Sequence, residues 1–498
     1  MSGKPLYFLQ TLGCPKNQVD SGYIEGLMES SGYDAATAPE EADVCIVHTC
    51  GFLGAASQES IDALLELGEL KKRNPGMKLV ASGCLAQRHG PELAAEMPEL
   101  DVVVGTRDWP SLPSALSSAR VGRQVVRIET LAPVDYSELE FRPTAPATTY
   151  LKLSDGCNFR CAFCTIPSFT GDLRSKPVSL VLSEARRAVE SGVQELVLVA
   201  QNLTGYGRDL PVRTNLSSLL RQLAALDPAP RWVRLMYATL EGVSDELIAT
   251  MAELDCVAKY LDMPLQHVHP ATLRRMKRPY SADRAHGVLQ RLRAAMPDLA
   301  LRSTFVVGFP GETDEEFQTL LDFLPAAQLD WVTAFAYSEE PGTVAAGMDG
   351  QLPLREREAR RRAVYAAQAE VSRQRNRRLV GREITVLGEA LSTTRDDRTV
   401  LFARSEREAP EIDGRVVVRG LARPEDWLDR FLRVRVTTAA TYQVGAVAVV
   451  GDVPAANVAK NVGGAGTPIP TRESATIGAP PETLARRSAV RPLRMAPR

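Results

Sequence analysis

Apolar residues in this chain form short runs that alternate with longer stretches of helical periodicity. In the first 145 residues, the predicted strands are 6–12, 44–49, 78–82 and 102–105, and the predicted helices are 21–31, 58–72 and 91–97. Alternation of strands and helices favours a parallel sheet covered on both faces. The Pro-, Ala- and Thr-rich stretch 144–149 predicts a linker at the end of this region.

A second alternating series follows the linker. Its predicted strands are 150–153, 195–200, 233–237, 260–263, 303–307 and 331–336, with helices such as 180–191 and 314–323 between them. Six βα units predict a (βα)6 partial TIM barrel rather than a full eight-stranded barrel. An arginine-rich helix is predicted at 354–380. For Arg360, Arg361 and Arg362 within it, the charge pattern favours a solvated face over a binding face.

The chain changes character after residue 380. Short β-branched runs separated by turns predict a small five-stranded β-barrel. Beyond Pro454 the sequence loses periodicity, and seven basic against two acidic residues give this stretch a charge of +5. We predict an α/β protein with an N-terminal open parallel-sheet domain (1–143), a partial barrel (144–376), a β-barrel (377–453) and a disordered tail (454–498).

Composition narrows the class of protein. The chain has 498 residues, of which 44% are hydrophobic and 24% charged, so it has enough apolar material for a core. Its net charge of −2 gives no overall attraction to nucleic acid. Apolar runs fall short of the roughly 18–20 residues that span a bilayer, and the first 13 residues lack a signal-peptide pattern. We therefore expect a cytoplasmic protein.

Three of the eight cysteines form a compact motif. Cys157, Cys161 and Cys164 have Cys-x3-Cys-x2-Cys spacing and follow the first strand of the predicted partial barrel, where barrel active sites are built. Three thiolates can bind three irons of a four-iron cluster and leave the fourth iron open. The alternative is zinc, but structural zinc needs four ligands, and no fourth cysteine or histidine follows at the usual spacing.

A second trio is spread over the first domain. Cys14, Cys50 and Cys84 each end a predicted strand and each lies beside a glycine. The carboxyl ends of parallel strands meet at one edge of a sheet, so we expect a second three-thiolate cluster there rather than three core residues. Cys45 and Cys256 lack such partners, and we interpret both as small buried hydrophobic residues.

These motifs resemble the radical S-adenosylmethionine (SAM) superfamily and, within it, the methylthiotransferases. The similarity extends over about residues 5–450. Its main motifs are Gly13-Cys14-Pro15-Lys16-Asn17, Thr49-Cys50-Gly51-Phe52, Ser82-Gly83-Cys84, Pro264-Leu265-Gln266-His267 and Gly308-Phe309-Pro310-Gly311-Glu312. The resemblance implies a C-terminal TRAM barrel, two 4Fe-4S clusters held by the two cysteine trios, and SAM as cofactor. It also implies that Phe163 contacts the adenine of SAM. We assign no catalytic residue beyond the cluster ligands.

The greatest likeness is to the methylthiotransferases that modify a ribosomal protein. This implies transfer of a methylthio group to the β-carbon of an aspartate in the small-subunit protein numbered twelve. Radical chemistry suits such a carbon because it has no acidic proton for an ordinary base to remove. The resemblance also implies an electron donor of the flavodoxin-like or ferredoxin-like kind.

Two alternatives remain open at this point. The first is methylthiolation of a modified adenosine in transfer RNA, and the second is a non-enzymatic iron–sulfur carrier. Residues 381–450 contain 11 arginines, no lysine and 11 acidic residues, so the predicted barrel lacks the basic excess typical of RNA binding. For His267 and His269 we favour structural or substrate-pocket roles over metal binding. For Gly308 and Gly311 we favour turns over a phosphate loop.

Overall fold

The computed structural model describes residues 3–120, 122–128, 134–137, 139–278, 280–394 and 397–449. The chain divides into two compact units. The first contains the described residues up to 229 together with Ser338–Gly347, and the second contains residues 230–337 and 348–449. The predicted disordered tail, 454–498, lies outside the described residues, and the domain borders at 143, 376 and 453 stay predictions.

The first unit begins with a six-stranded sheet in the order β2-β1-β3-β4-β5-β6, and every pair in it is parallel. Its elements are β1 (Leu6–Thr11), α1 (Pro15–Ser30), β2 (Asp34–Ala35), β3 (Val44–Thr49), α2 (Gly54–Arg73), β4 (Lys78–Gly83), α3 (Cys84–Glu96), β5 (Val102–Val104), α4 (Leu112–Ser118) and β6 (Val125–Arg127). All six residues of β3 are buried, as expected for a central strand with both faces covered. The predicted parallel sheet is confirmed.

The same unit continues with two strands of the predicted partial barrel. Its further elements are β7 (Thr148–Lys152), β8 (Ser154–Asp155), α5 (Ile166–Thr170), β9 (Arg174–Ser175), α6 (Val178–Glu190), β10 (Glu195–Val199) and α7 (Leu216–Ala224). Strands β7 and β10 pair in parallel, and β8 and β9 form a short antiparallel ladder. That ladder closes the loop that carries the Cys-x3-Cys-x2-Cys motif.

The second unit contains the other four strands of the series, paired in parallel in the order β14-β13-β12-β11. Its α/β elements are β11 (Trp232–Leu235), α8 (Asp245–Glu253), β12 (Val257–Asp262), α9 (Pro270–Arg275), α10 (Ala282–Ala295), β13 (Ala300–Val307), α11 (Asp314–Ala327), β14 (Trp331–Ala336) and α12 (Leu354–Arg377). The series therefore has the six parallel strands that the sequence predicts.

The second unit ends in a closed five-stranded barrel of order β15-β16-β17-β19-β18. Its strands are β15 (Glu383–Thr393), β16 (Thr399–Ser405), β17 (Arg415–Arg419), β18 (Phe431–Ala439) and β19 (Gln443–Ala448). Inward-facing aliphatic residues fill its core, among them Val386, Leu401 and Val434. This confirms the predicted small β-barrel.

Several sequence-based boundaries are wrong near prolines and cysteines. Helix α1 begins at Pro15, not at residue 21, because Cys14 occupies the N-cap position and proline suits the first turn. Helix α3 begins at Cys84, although the sequence predicts a helix only from residue 91. Pro91 lies inside α3 next to a kink at His89, and a proline interrupts the helical pattern that the sequence shows.

The charge pattern also misplaces Arg360 on α12. Its side chain is only 6% exposed, and its guanidinium lies 2.8 Å from Asp314 and 2.7 Å from Glu356. Arg361 is partly buried, and only Arg362 is exposed as predicted. A buried guanidinium is tolerated here because several carboxylates surround it.

No helix within the described ranges combines the length and apolar character needed to cross a membrane.

Candidate functional site

Cys14, Cys50 and Cys84 come together at the carboxyl edge of the first sheet. Cys14 is the N-cap residue of α1, Cys50 directly follows β3, and Cys84 is the first residue of α3. The three therefore lie at strand-to-helix junctions, one to three residues beyond the observed strand ends. Their charges influence one another electrostatically, which reflects this proximity.

Two glycines, Gly13 and Gly51, allow the three strand-to-helix junctions to approach one another closely. At Gly13 a Cβ atom would lie 2.6 Å from Cβ and 2.8 Å from Sγ of Cys50. At Gly51 it would lie 2.8 Å from the backbone nitrogen of Leu85, directly after Cys84. Gly13 also has a φ of +94°, which side chains other than glycine rarely adopt. Glycine at these positions is thus a condition for bringing the thiols together.

Hydrogen bonds fix the junctions in place. The Asn17 side-chain amide donates to the carbonyls of Leu12, at 2.8 Å, and Thr49, at 3.1 Å. The Ser60 hydroxyl accepts from the Cys50 N–H at 3.0 Å and donates to the Cys50 carbonyl at 2.9 Å. The chain on either side of the cysteines is therefore held by buried side chains.

The buried surroundings of these thiols disfavour their charged form. Burial raises the pKa of Cys50, and burial together with the charges of Cys14 and Cys50 raises the pKa of Cys84 well above its ordinary value. Binding of a cationic metal centre deprotonates such thiols and relieves their repulsion. Among the described residues no three ligand side chains converge tightly enough for one metal ion. A four-iron cluster takes each thiolate on a separate iron and needs a wider arrangement.

The second trio occupies one closed loop between β8 and β9. Cys157 donates its N–H to the Gly171 carbonyl at 3.1 Å, and Cys164 donates to the Cys161 carbonyl at 3.1 Å. Asn158 accepts the Leu173 N–H at 3.0 Å, which ties the start of the loop to its end. All three cysteines and Phe163 are partly exposed, so a ligand can reach them from solvent.

A buried charge network connects the chain segments that carry the two trios. Lys152, at the end of β7, is 2% exposed. Its Nζ bonds the carboxylate of Asp20 on α1 and lies 3.1 Å from Asp155, two residues before Cys157. Burial alone would lower the pKa of Lys152, but Asp155 and Asp20 raise it well above its ordinary value. The sequence analysis missed Lys152, although a lysine inside an apolar strand signals a buried partner.

Replacing Lys152 with methionine should destabilise the protein by about 3–5 kcal/mol, because the carboxylates of Asp20 and Asp155 would lose the buried cation that contacts both of them. Denaturant unfolding of the metal-free protein at pH 7 measures this. The matched control is Lys72→Met: Lys72 pairs with Glu69, but both side chains are more than half exposed, so its loss should leave the stability close to that of the wild type. Equal effects of the two substitutions would contradict the role of the network.

The remaining candidate residues lie outside the two trios. His267 is fully buried, and burial lowers the pKa of its imidazole to about 3, so the ring is neutral at pH 7. Its Nδ1 accepts the His269 N–H at 3.0 Å, which fits the structural role favoured from sequence. Gly308 and Gly311 have φ values of +70° and +72°, typical of turn glycines.

The two cysteines outside the trios differ in burial. Cys45 is fully buried, with its Sγ 3.3 Å from the Met77 sulfur, as predicted. Cys256 is only partly buried, so its prediction as a buried residue is wrong. It lies at a turn directly before β12, next to the exposed Asp255.

Comparison with protein families matches three regions of the chain. Residues 6–105 match the family described as Uncharacterized protein family UPF0004. Residues 151–324 match the radical SAM superfamily, and residues 380–449 match the TRAM domain. The three matches follow the order of the first sheet, the parallel strand series and the closed barrel.

Similar proteins cover nearly the whole described chain. A protein of Roseiflexus sp. (strain RS-1) is 45% identical over 88% of this chain and 96% of its own length. Proteins of Chloroflexus aurantiacus and Geobacter sulfurreducens are 48% and 41% identical, over 83% and 87% of this chain and 94% and 96% of their own lengths. Each is named ribosomal protein uS12 methylthiotransferase RimO.

Among solved structures, the radical SAM methyltransferase TsrM from Kitasatospora setae is similar in fold. The match has a TM-score of 0.51 at 14% identity and covers 67% of this chain and 74% of TsrM. Such low identity supports the fold alone. The sequence relatives carry the assignment, because they are far more similar and span almost their full lengths. The three family matches and the two cysteine trios in one unit agree with these relatives. The identity and aligned length of the relatives show that this chain belongs to the RimO family of radical SAM methylthiotransferases.

Proposed function

We propose that this protein methylthiolates the β-carbon of an aspartate in ribosomal protein uS12, using SAM and two 4Fe-4S clusters. The observation that carries the proposal is the uniform naming of relatives that are 40–48% identical and align over 89–96% of their own lengths. The chain also has two cysteine trios that could hold the two clusters of such a reaction, and both trios lie in one compact unit.

The ligand assignment is part of this proposal. Cys157, Cys161 and Cys164 would hold the cluster that binds SAM, and Cys14, Cys50 and Cys84 would hold the auxiliary cluster. The donor sets fit, since each trio supplies three thiols and leaves one iron open for a further ligand. When bound, these groups supply reductive cleavage of SAM to a carbon radical and a site that carries sulfur.

The protein's own residues would position these groups and limit side reactions. The closed loop between β8 and β9 holds the first trio, and the partly exposed Phe163 ring offers a flat apolar face for the adenine of SAM. Asn17 and Ser60 hold the second trio. Burial of Cys50 and of the residues behind it keeps water from one side of the site, which protects a reactive carbon centre.

The alternative substrate, a transfer RNA adenosine, receives less support. Arginines of the C-terminal barrel are engaged in ion pairs within their own unit: Arg404 with Glu389 at 2.7 Å, and Arg433 and Arg435 with Glu383. The barrel region also has equal numbers of basic and acidic residues, whereas RNA-binding modules carry a basic excess. A neutral barrel is compatible with a basic ribosomal protein as the substrate.

Two finer points belong to the same proposal. A flavodoxin-like or ferredoxin-like protein would supply the electron that SAM cleavage requires, since this chain has cluster ligands but no motif for a second redox cofactor in its sequence. The reaction would take place in the cytoplasm, where ribosomal proteins are found.

Mass spectrometry of ribosomal proteins and transfer RNA from a strain that lacks this gene tests the proposal. We expect uS12 to be about 46 Da lighter than in the parent strain, the mass difference for replacing hydrogen with a methylthio group. Transfer RNA should be unchanged. Complementation with the intact gene should restore the mass of uS12. A change confined to transfer RNA would refute the proposed substrate.

A further inference from the structure

The segment Ser338–Gly347 lies in the same compact unit as all six trio cysteines, although it is more than 170 residues away from them in sequence. Apart from Ser338 in the matching pair Tyr337-Ser338, no sequence motif includes its residues. Three of its residues nevertheless make the contacts described below, and these contacts involve both cysteine trios.

Glu340 contacts the junctions that carry Cys50 and Cys84. Its side chain is 6% exposed. Oε1 accepts the N–H of Gly54, the first residue of α2, at 2.8 Å, and Oε2 lies 3.4 Å from Nη1 of Arg88. Arg88, four residues after Cys84 on α3, also donates to the carbonyl of Gly51, the residue directly after Cys50. One carboxylate therefore joins two of the three junctions of the N-terminal trio.

The other end of the segment contacts the loop with the second trio. The N–H of Ala345, a fully buried residue, donates to the carbonyl of Ala162 at 2.8 Å. Ala162 lies between Cys161 and Cys164. The Thr343 hydroxyl donates to the Glu340 carbonyl at 2.8 Å and accepts the Ala346 N–H at 3.3 Å, so the residues between the two contacts form a hydrogen-bonded turn.

The segment thereby sets an upper limit on the separation of the two loops. Ala345 lies five positions after Glu340, and five residue steps span at most about 18 Å when the chain is fully extended. A hydrogen-bonded turn is shorter and stiffer than an extended chain. The loops on either side are thus connected by a short segment whose internal hydrogen bonds restrict its extension.

We propose that Glu340 is a positioning residue that holds the two cysteine trios at the separation that methylthio transfer requires. This inference rests on the proposed function, in which a substrate carbon activated beside Cys157, Cys161 and Cys164 must meet sulfur carried beside Cys14, Cys50 and Cys84. A displacement of about 1 Å between reacting groups can lower a rate about a hundredfold. SAM cleavage needs only one trio and does not depend on this separation.

The test compares Glu340→Ala with Asp101→Ala. Asp101 is a matched control because its carboxylate also accepts a backbone N–H, from Leu79 at 2.7 Å, and also pairs with a cation, Lys71. It lies at the start of β4 and β5, the sheet edge opposite to the cysteines. Glu340→Gln is the second variant, because its amide oxygen can still accept the Gly54 N–H.

Two measurements are made on each protein. Amide hydrogen exchange of the metal-free protein reports on the Glu340 contact directly: in Glu340→Ala the Gly54 amide should exchange at least about tenfold faster, since it loses its carboxylate acceptor. The reconstituted enzyme gives the ratio of modified peptide to 5′-deoxyadenosine. In Glu340→Ala this ratio should fall about tenfold or more while deoxyadenosine formation stays near the wild-type rate.

Glu340→Gln should recover protection of Gly54 and part of the ratio, and Asp101→Ala should keep both at wild-type values. A wild-type ratio in Glu340→Ala, or an equal fall of the ratio in Asp101→Ala, would overturn the inference. The proposed function is judged separately, on whether wild-type enzyme produces modified peptide at all, and the exchange measurement does not depend on that result.

Discussion

Replacing Cys157, Cys161 and Cys164 together with alanine should abolish formation of 5′-deoxyadenosine and remove about four of about eight irons per chain. The three thiols are the only cysteines in the loop between β8 and β9, so no neighbouring thiol in that loop can take their place. Without a cluster there is no electron to cleave SAM, and the remaining trio lies on other chain segments.

The measurement is anaerobic reconstitution followed by iron analysis and incubation with dithionite and SAM. Deoxyadenosine should fall to the level found without enzyme, and modified peptide should fall with it. The variant should keep the iron bound by the N-terminal trio, which serves as an internal control for folding. Continued deoxyadenosine formation would show that the SAM-cleaving cluster is held elsewhere.

Replacing Cys14, Cys50 and Cys84 together with alanine should abolish modification of the peptide but leave cleavage of SAM intact. About four irons should again be lost, but deoxyadenosine should still form, because the loop between β8 and β9 keeps all three of its cysteines. Modified peptide should fall to background, since the sulfur-carrying site is gone. The junctions themselves should survive, because Asn17, Ser60 and Thr49 hold their backbones through side chains that this variant retains.

Controls for this variant come from the two cysteines outside the trios. Cys45→Ala and Cys256→Ala should each leave eight irons and both products unchanged, at a cost of about 1 kcal/mol or less in stability. Cys45 is the more informative control, because it lies on β3 only five residues before Cys50 and is fully buried. Full peptide modification by the N-terminal triple variant would show that this trio is structural.

The sequence predicted the placement of the N-terminal trio for a sound physical reason. Continuous apolar runs identified β1, β3 and β4, and parallel strands place their carboxyl ends at one edge. The details were less accurate. Helix α3 begins at Cys84, seven residues before the predicted start. The sequence does not show this start, because a cysteine at a helix N-terminus leaves no periodic signal in the residues before it.

Other errors have a common cause. Arg360 was predicted to be solvated, yet it is buried among carboxylates that lie up to 48 residues away. Cys256 was predicted to be buried because it has no partner cysteines, yet it is only partly buried, at a turn. Local patterns report the average burial of a helix or strand face, whereas the burial of one side chain depends on which other segment packs over it.

The sequence by itself determined the succession of an open parallel sheet, six further parallel strands and a closed barrel, because hydrophobic periodicity is a local property of each element. It also determined the cysteine spacing that the family resemblance rests on. Only the tertiary structure decided that Lys152 joins Asp20 to Asp155, and that Glu340 and Ala345 contact the loops of both trios. Those pairs are separated by up to 286 residues, and no local pattern encodes such contacts, because they form only when packing brings distant segments together.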